Sequence, residues 1–352
     1  MRDVAIVSVS QSTHRRSLDE LNEVEMIQPV IQGAFEQIDA SIRDIDFVCS
    51  GSSDYLAGQA FSFVMSLDAV GAWPPMAESH VEMDGAWALY EAWLKIQSGH
   101  ADTALVFAYS KASPGDLPRV LSRQLDPYYY GPLWPDSVAL AGLQARAMID
   151  AGLTSEAAMA EIACRNRTSA LDNPHAQVKG SAPVGELLAQ PYLSDPLRMH
   201  DCPPISDGGV AVILAAGDQA HRWSKRPAWI RGLDHRVDSH NLGARDLTTS
   251  PSIAIAAEKA GVAAGKVDIA ELCAPFTHQE TIAVSALGLG DDCVVNPSGG
   301  PLSANPMMAA GLIRMGEVAT RIMDGSADRG VAHATSGHCL QQNLIAVLEG
   351  EG

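Results

Sequence analysis

The sequence is short of positive charge: 24 Lys and Arg stand against 42 Asp and Glu, a formal net charge of −18. A field of that sign repels phosphate backbones and anionic lipid, which excludes a nucleic-acid role. No apolar run approaches the ~20 residues that a membrane helix needs, so no membrane insertion is expected. The N-terminus offers Arg2 and Asp3 and then only the apolar run from Val4 to Ser10, too short and too polar for a signal-peptide core. The six cysteines (Cys49, Cys164, Cys202, Cys273, Cys293 and Cys339) form no C-x-x-C pair. Without an export signal they are expected to be reduced thiols in a cytoplasm. There is no G-x-S-x-G elbow and no Walker loop, and Gly288-Leu289-Gly290 lacks the third glycine of a dinucleotide loop and reads as a turn. His278-Gln279-Glu280 matches the H-x-E of zinc deaminases without their downstream P-C-x-x-C. His200 and Cys202 have no further ligands at metal spacing, so they read as a loop pair and no metal is expected. What is present is 352 residues, 47% hydrophobic and 19% charged, enough for two cores of ordinary domain size.

Hydrophobic period organises the chain. Val4 to Val9 reads as a strand, Leu18 to Ile38 as a helix and Ile45 to Cys49 as a second strand. In the segment opening at Gly85, the residues Ala86, Leu89, Tyr90, Trp93 and Leu94 share one helical face. The segment stops at Gly99, and Ala104 to Ala108 follows as a buried strand. The second half repeats this order: Ile253 to Ala264 helical, Val267 to Cys273 a strand, Met307 to Met323 helical, Val331 to Thr335 a strand. Gly99-His100-Ala101-Asp102 with Ala104 to Ser110 aligns without gaps on Gly325-Ser326-Ala327-Asp328 with Gly330 to Ser336, 226 residues later. The same offset carries Gly85 onto Gly311. A duplicated α/β unit is the expected architecture. Between the halves lies the segment from Lys111 to Pro204, rich in Pro, Tyr and Trp early and helical over Ser137 to Gly152 and Ser155 to Ala170. Its composition fits substrate contacts and a layer that buries aromatics equally well.

Three loops concentrate reactive groups: Glu271 to Glu280 after a strand, Asn296-Pro297-Ser298-Gly299-Gly300 leading to Asn305-Pro306, and Ser336 to Asn343 between the last two strands. Each also has a plain structural use. Cys273 suits a core, Asn305 suits an N-cap with Pro306 at the first helical position, and His338-Cys339 suits a hairpin tip. Three polar loops at the strand ends of one half nevertheless sit where α/β folds place ligands.

The chain resembles the thiolase superfamily, and most of all the thiolase-like lipid-transfer proteins related to sterol carrier protein X thiolases. The resemblance spans nearly the whole length. It rests on the doubled βαβ pattern, on Gly152-Leu153-Thr154-Ser155-Glu156 through Arg167 and Asn173-Pro174-His175-Ala176, on Asp195-Pro196-Leu197 with Cys202 to Gly209, and most specifically on Asn296 to Gly300. It implies a thiolase fold of five α-β-α-β-α layers built from two duplicated βαβ-type halves. Residues 1–217 would form the N-terminal half, including a loop domain at about 111–204, and residues 225–352 the C-terminal half. It also implies a coenzyme A thioester as substrate, with no covalently bound cofactor. A homodimer is implied, or a heteromer with a thiolase-like, OB-fold or hydratase-like chain.

Departures from the family pattern bear on the chemistry. In a thiolase the nucleophilic cysteine lies at the N-terminus of the helix that begins here near Gly85, and Glu82 stands in its place. The family's G-H-P loop appears as Ala304-Asn305-Pro306, and its N-E-A-F or H-D-C-F loop as Cys273-Ala274-Pro275-Phe276. Only the second, proton-shuttling cysteine has a clear counterpart, Cys339. The resemblance therefore implies catalytic roles among Cys339, Asn305, Cys273, His278, Glu82 and His338, with Gly299, Gly300, Phe276 and Gly337 against the substrate. Asp84 and Glu280 are further proton carriers, although Glu82 and Asp84 also suit a helix start. Without an acyl-accepting thiolate the ping-pong route is closed, whereas retro-aldol cleavage of a β-hydroxyacyl thioester needs only a base and enolate donors. The competing readings are a non-catalytic subunit scaffolding an active thiolase, and thiolysis through another cysteine.

Overall fold

A computed structural model describes residues 2–58, 60–71, 76–180 and 182–351. The N-terminal half runs β1 (Val4–Gln11), α1 (Glu23–Glu36), β2 (Phe47–Gly51), α2 (Asp54–Ala57), α3 (Ser62–Val70), β3 (Ala77–Val81), α4 (Gly85–Gln97) and β4 (Thr103–Ser110). An inserted segment carries α5 (Leu117–Ser122), α6 (Ser137–Asp150), α7 (Glu156–Ser169), α8 (Val184–Leu188) and a small hairpin of β5 (Tyr192–Ser194) and β6 (Leu197–Arg198). The chain returns through β7 (Gly208–Ala216) and α9 (Gly217–Trp223). It then repeats the plan with β8 (Ala228–Val237), α10 (Pro251–Ala260), β9 (Ile269–Leu272), α11 (Thr277–Leu287), β10 (Val294–Val295), α12 (Ala310–Met323), β11 (Arg329–Ser336) and β12 (Gln342–Glu349).

The ten long-range strands run in the order β10-β9-β11-β12-β8-β1-β7-β4-β2-β3. Read outward from the centre, each half is the same: a first strand, an antiparallel return strand, then three parallel strands. Within the sheet, among the described residues, the two halves pair only where Ala5 and Ile6 of β1 face Trp229 and Ala228 of β8. This short seam lets the sheet fold around α4 and α12. Ala88, Leu89, Ala92 and Ile96 of α4 and Leu312, Met315, Val318 and Ile322 of α12 share one core with strands of both halves. Helix α1 covers the outer face of the first half and α10 with α11 that of the second, completing five layers.

The 226-residue repeat is exact in the strands, since β4 and β11 have bounds at that offset and are stopped from behind by Gly99 and Gly325, both left-handed at φ 75° and 80°. Close approach explains the paired glycines. A Cβ on Gly85 would sit 2.6 Å from the Cβ of Ala108, and one on Gly311 2.5 Å from that of Ala334, so each central helix rests its first turn on its own strand.

Three boundaries differ from the sequence reading. Helix α1 starts after a capping box in which Asn22 and Glu25 exchange 2.9 Å hydrogen bonds, not at Leu18. Helix α12 starts at Ala310, because Met308 takes a left-handed φ of 68°; Asn305 is consequently not its N-cap. The polar stretch 271–280 is not one loop, because α11 begins at Thr277 and carries His278 and Glu280. The aromatics of the inserted segment are not buried by it either: Tyr128 is 82% and Tyr129 74% exposed. Among the described residues no helix is long and apolar enough to cross a membrane.

Candidate active site

A cavity of about 660 Å³ opens between the inserted segment and the strand ends of the C-terminal half. Its apolar side comes from α5 and α6, through Leu117, Leu121, Val138 and Ala141, and from Pro203, Pro204 and Ile205 before β7. Its polar groups include Arg16, Gln124 and Ser206 from the N-terminal half and inserted segment, Glu82 and Asp84 from the turn after β3, Cys273 from the β9–α11 connection, Gln279 of α11, Asn305 on the approach to α12, and Ser336 at the end of β11 with His338 and Cys339 in the turn that follows. Eight of the site candidates from the sequence thus meet in one place: Glu82, Asp84, Cys273, Phe276, Asn305, Gly337, His338 and Cys339.

His278, Gly299 and Gly300 do not line it. His278 lies on α11 with its ring fully buried, Nε2 3.2 Å from Oε1 of Gln144, and burial lowers its pKa to about 3. Its neighbour Gln279 faces the cavity instead. The run 296–300 is a structural clamp. Asn296, at φ 50°, accepts from the Leu272 N–H at 2.7 Å and donates to Glu280 at 2.8 Å. The N–H and hydroxyl of Ser298 donate to Glu271 at 2.8 and 2.7 Å, and Arg314 donates to both Glu271 and Ser298 at 2.6 Å. Gly299, at φ 96°, leaves a would-be Cβ only 2.6 Å from Ala170. Glu280, the other proton carrier suggested by the sequence, is held in this clamp by Asn296, Asn166 and Arg165.

The β11–β12 turn holds Cys339 and Leu340 at φ 53° and 58°, a left-handed pair that no glycine relieves. Strain of this kind persists only where surroundings over-determine it. Here Arg245 donates to the carbonyls of His338 and Cys339 at 2.9 and 3.1 Å. Burial, with the nearby His240 and Arg245, lowers the His338 pKa to about 4, so its ring is neutral at physiological pH. Asn305 donates its backbone N–H to Ser206 at 3.0 Å, and among the described residues no hydrogen bond occupies its carboxamide.

Glu82 sits after β3 and accepts the Asp54 N–H at 2.7 Å. Two residues on, Asp84 is buried and is the N-cap of α4; one oxygen accepts from Ala86 at 2.8 Å and Leu312 at 3.1 Å, the other from Gly311 at 2.8 Å. One carboxylate therefore caps both central helices. Burial raises its pKa against the lowering pull of those three N–H groups.

None of the thiols in the cavity is activated. Burial pushes Cys202 and Cys273 up to about 12, with nearby Asp201 and Asp84 respectively adding to the effect, and pushes Cys339 up to about 11 despite Arg245. Among the described residues no group of three His, Cys, Asp or Glu could hold a metal ion. Gln279, Ser206 and Ser336 were not singled out from the sequence; only the proximity of Gln279 to His278 and of Ser336 to His338 could have signalled two of them.

No protein-family model matches the chain. Among curated proteins it is 27% identical to an acetyl-CoA acetyltransferase of Methanothermobacter thermautotrophicus, over 96% of this chain and 95% of the relative. It is also 27% identical to sterol carrier protein 2 of Gallus gallus, over 74% of this chain and 54% of that protein. Among solved structures, human mitochondrial 3-ketoacyl-CoA thiolase superposes with a TM-score of 0.80 at 15% identity, covering 99% of both chains, and it has also been matched with CoA bound. The Ltp2-ChsH2(DUF35) aldolase superposes with a TM-score of 0.80 at 17% identity, covering 99% of this chain and 97% of the other. Strand order, the central helix pair and near full-length similarity agree: the chain has the thiolase fold and resembles thiolase-superfamily proteins along nearly its whole length.

Proposed function

We propose that the protein binds an acyl-coenzyme A thioester in this cavity and cleaves a carbon–carbon bond of a β-hydroxyacyl chain by enolate chemistry, without an acyl-enzyme. The observation that carries this is the setting of the thiols. Cys202, Cys273 and Cys339 are buried, which keeps them protonated near neutrality, and the start of α4 is occupied by the carboxylate of its N-cap Asp84 and not by a thiol. A protonated thiol is, however, a suitable proton donor to a carbanion.

In the retro-aldol direction a base removes the β-hydroxyl proton, the carbonyl forms, and the electron pair of the Cα–Cβ bond passes into the thioester enolate. The free carboxamide of Asn305 is the donor for the enolate oxygen, and Cys339 returns a proton to Cα. The products are a ketone or aldehyde and a shortened thioester. The apolar wall from α5 and α6 suits the leaving carbonyl fragment, consistent with a lipid or steroid chain. Relatives named for coenzyme A thioesters support the substrate class, and the Ltp2-ChsH2(DUF35) aldolase supports both the reaction type and action in a complex with a second chain.

The test is a parallel assay of the chain, alone and with proteins encoded beside it, for β-ketoacyl-CoA thiolysis and β-hydroxyacyl-CoA cleavage. Carbonyl release that is lost in Asn305→Ala and Cys339→Ala supports the reading. A chain that cleaves neither substrate while its partner is active alone would be a scaffold.

A further inference from the structure

Helices α4 and α12 both begin beside the cavity, at Asp84 and Ala310 of its lining, and the free N–H groups of a helix start ordinarily attract an anion. Here the donors are already matched. Gly85 gives its N–H to the Met308 carbonyl at 2.8 Å and Trp87 to the Asp84 carbonyl at 2.9 Å, while Ala86, Gly311 and Leu312 all give theirs to the Asp84 carboxylate. A ligand carboxylate or thiolate brought here meets an internal negative charge and none of these five donors. A carboxylate has about four lone-pair sites, of which Asp84 uses three. The remaining acceptor lies on Oδ2, which holds one N–H, in a residue that lines the cavity.

We propose that Asp84 is the catalytic base for the β-hydroxyl group and, through the same oxygen, the residue that selects hydroxyl-bearing ligands over those lacking a donor. This rests on the carbon–carbon cleavage reading above. In the step, Oδ2 takes the hydroxyl proton and the O–H electrons form the new C=O bond. The Cα–Cβ pair moves to the enolate, and Cys339 then gives Cα its proton and recovers one by way of the protonated Asp84 or solvent. Atoms and electrons balance with no oxidant, reductant or co-reactant. Other acids suit the role less well. Glu82 is half-exposed and turned to the Asp54 N–H and to His80, and Glu280 is outside the cavity lining. The raised pKa of Asp84 agrees with a base in a desolvated site.

The probes are two inert thioether analogues of one acyl-CoA, with a methylene replacing the thioester carbonyl, one carrying the 3-hydroxyl and one without it. By isothermal titration the wild type is expected to prefer the hydroxy analogue by about tenfold or more, the effect of one hydrogen bond to a charged acceptor. Asp84→Asn should reduce that preference to about threefold or less, and lower kcat for the 3-hydroxyacyl thioester more than it changes KM. Equal affinity of the wild type for both analogues, or a preference that survives Asp84→Asn and disappears in Glu82→Gln, would overturn the assignment while leaving the acyl-coenzyme A reading in place. Binding of neither analogue would overturn both. If Asp84→Asn does not fold, the wild-type preference together with Glu82→Gln still decides the question.

Discussion

At the end of β4, Ser110 leads into the inserted segment, whose helices α5 and α6 build the apolar wall of the cavity. At the matching end of β11, 226 residues later, Ser336 leads into a tight turn that carries His338 and holds Cys339 and Leu340 in strained, left-handed backbone. The two helices before these strands differ in the same way. Helix α4 starts on Asp84, which caps it, whereas α12 starts on Ala309, which has no capping side chain and relies on that same Asp84. A duplicated frame has kept its backbone and diverged at its edges. One copy supplies the apolar wall and the shared carboxylate, the other the carboxamide of Asn305, the imidazole of His338 and the thiols of Cys273 and Cys339 that line the cavity.

This asymmetry can be broken, most severely at Asp84. Replacement by alanine leaves buried N–H groups of two helices without a partner and is expected to cost about 3 kcal/mol in urea denaturation, more than loss of an ordinary cap. A cost no larger than that of one surface N-cap would mean that the helices do not depend on it jointly. Next come the glycine contacts: Gly311→Ala should lose about 2 kcal/mol by overpacking on Ala334, and Gly85→Ala about as much on Ala108. Ala334→Gly should recover part of the first loss and none of the second. Unequal costs would show that the two halves no longer pack alike.

A smaller effect follows from buried histidines, of which the described residues of the C-terminal half hold His278 and His333. Burial lowers His278 to about 3 and His333 to about 4, while an unfolded chain holds them near ~6.5. The native state therefore binds fewer protons. Stability from these groups is present above the unfolded value near ~6.5 and is lost as pH falls through it toward about 4 for His333 and about 3 for His278. Relative to the wild type, His278→Gln should recover about 1–2 kcal/mol of the fall in unfolding free energy between pH 7 and 5. An unchanged slope would contradict a neutral buried ring. The least perturbing test is alkylation of Cys339 by iodoacetamide, which at pH 7.5 should be at least about tenfold slower than that of a free thiol. Rapid modification would place an activated thiolate in the cavity after all.

How far the sequence revealed this depended on the range of the interactions. Continuous apolar runs and the stopping glycines Gly99 and Gly325 identified β4 and β11, because those signals are local. The repeat offset pointed to Gly85 and Gly311 without giving their reason, which is contact with Ala108 and Ala334. Asp84 was visible only as an acid near a helix start, since its decisive partners, Gly311 and Leu312, are more than two hundred residues away. The Asn296 to Gly300 run, the most specific family match, proved to clamp Glu271 and Glu280 and not to line the cavity. A buried polar cluster and a ligand loop have the same composition, and only the fold separates them.

Cleavage without a covalent intermediate is what separates the proposed reaction from thiolysis. The most direct test is to mix the protein, alone and with proteins encoded beside it, with a β-hydroxyacyl-CoA, follow carbonyl and shortened thioester together, and record the intact mass of the protein during turnover. Equal release of both products with no added mass is the predicted result. An acyl group carried on a cysteine, with thiolysis of a β-ketoacyl-CoA by the same preparation, would contradict it.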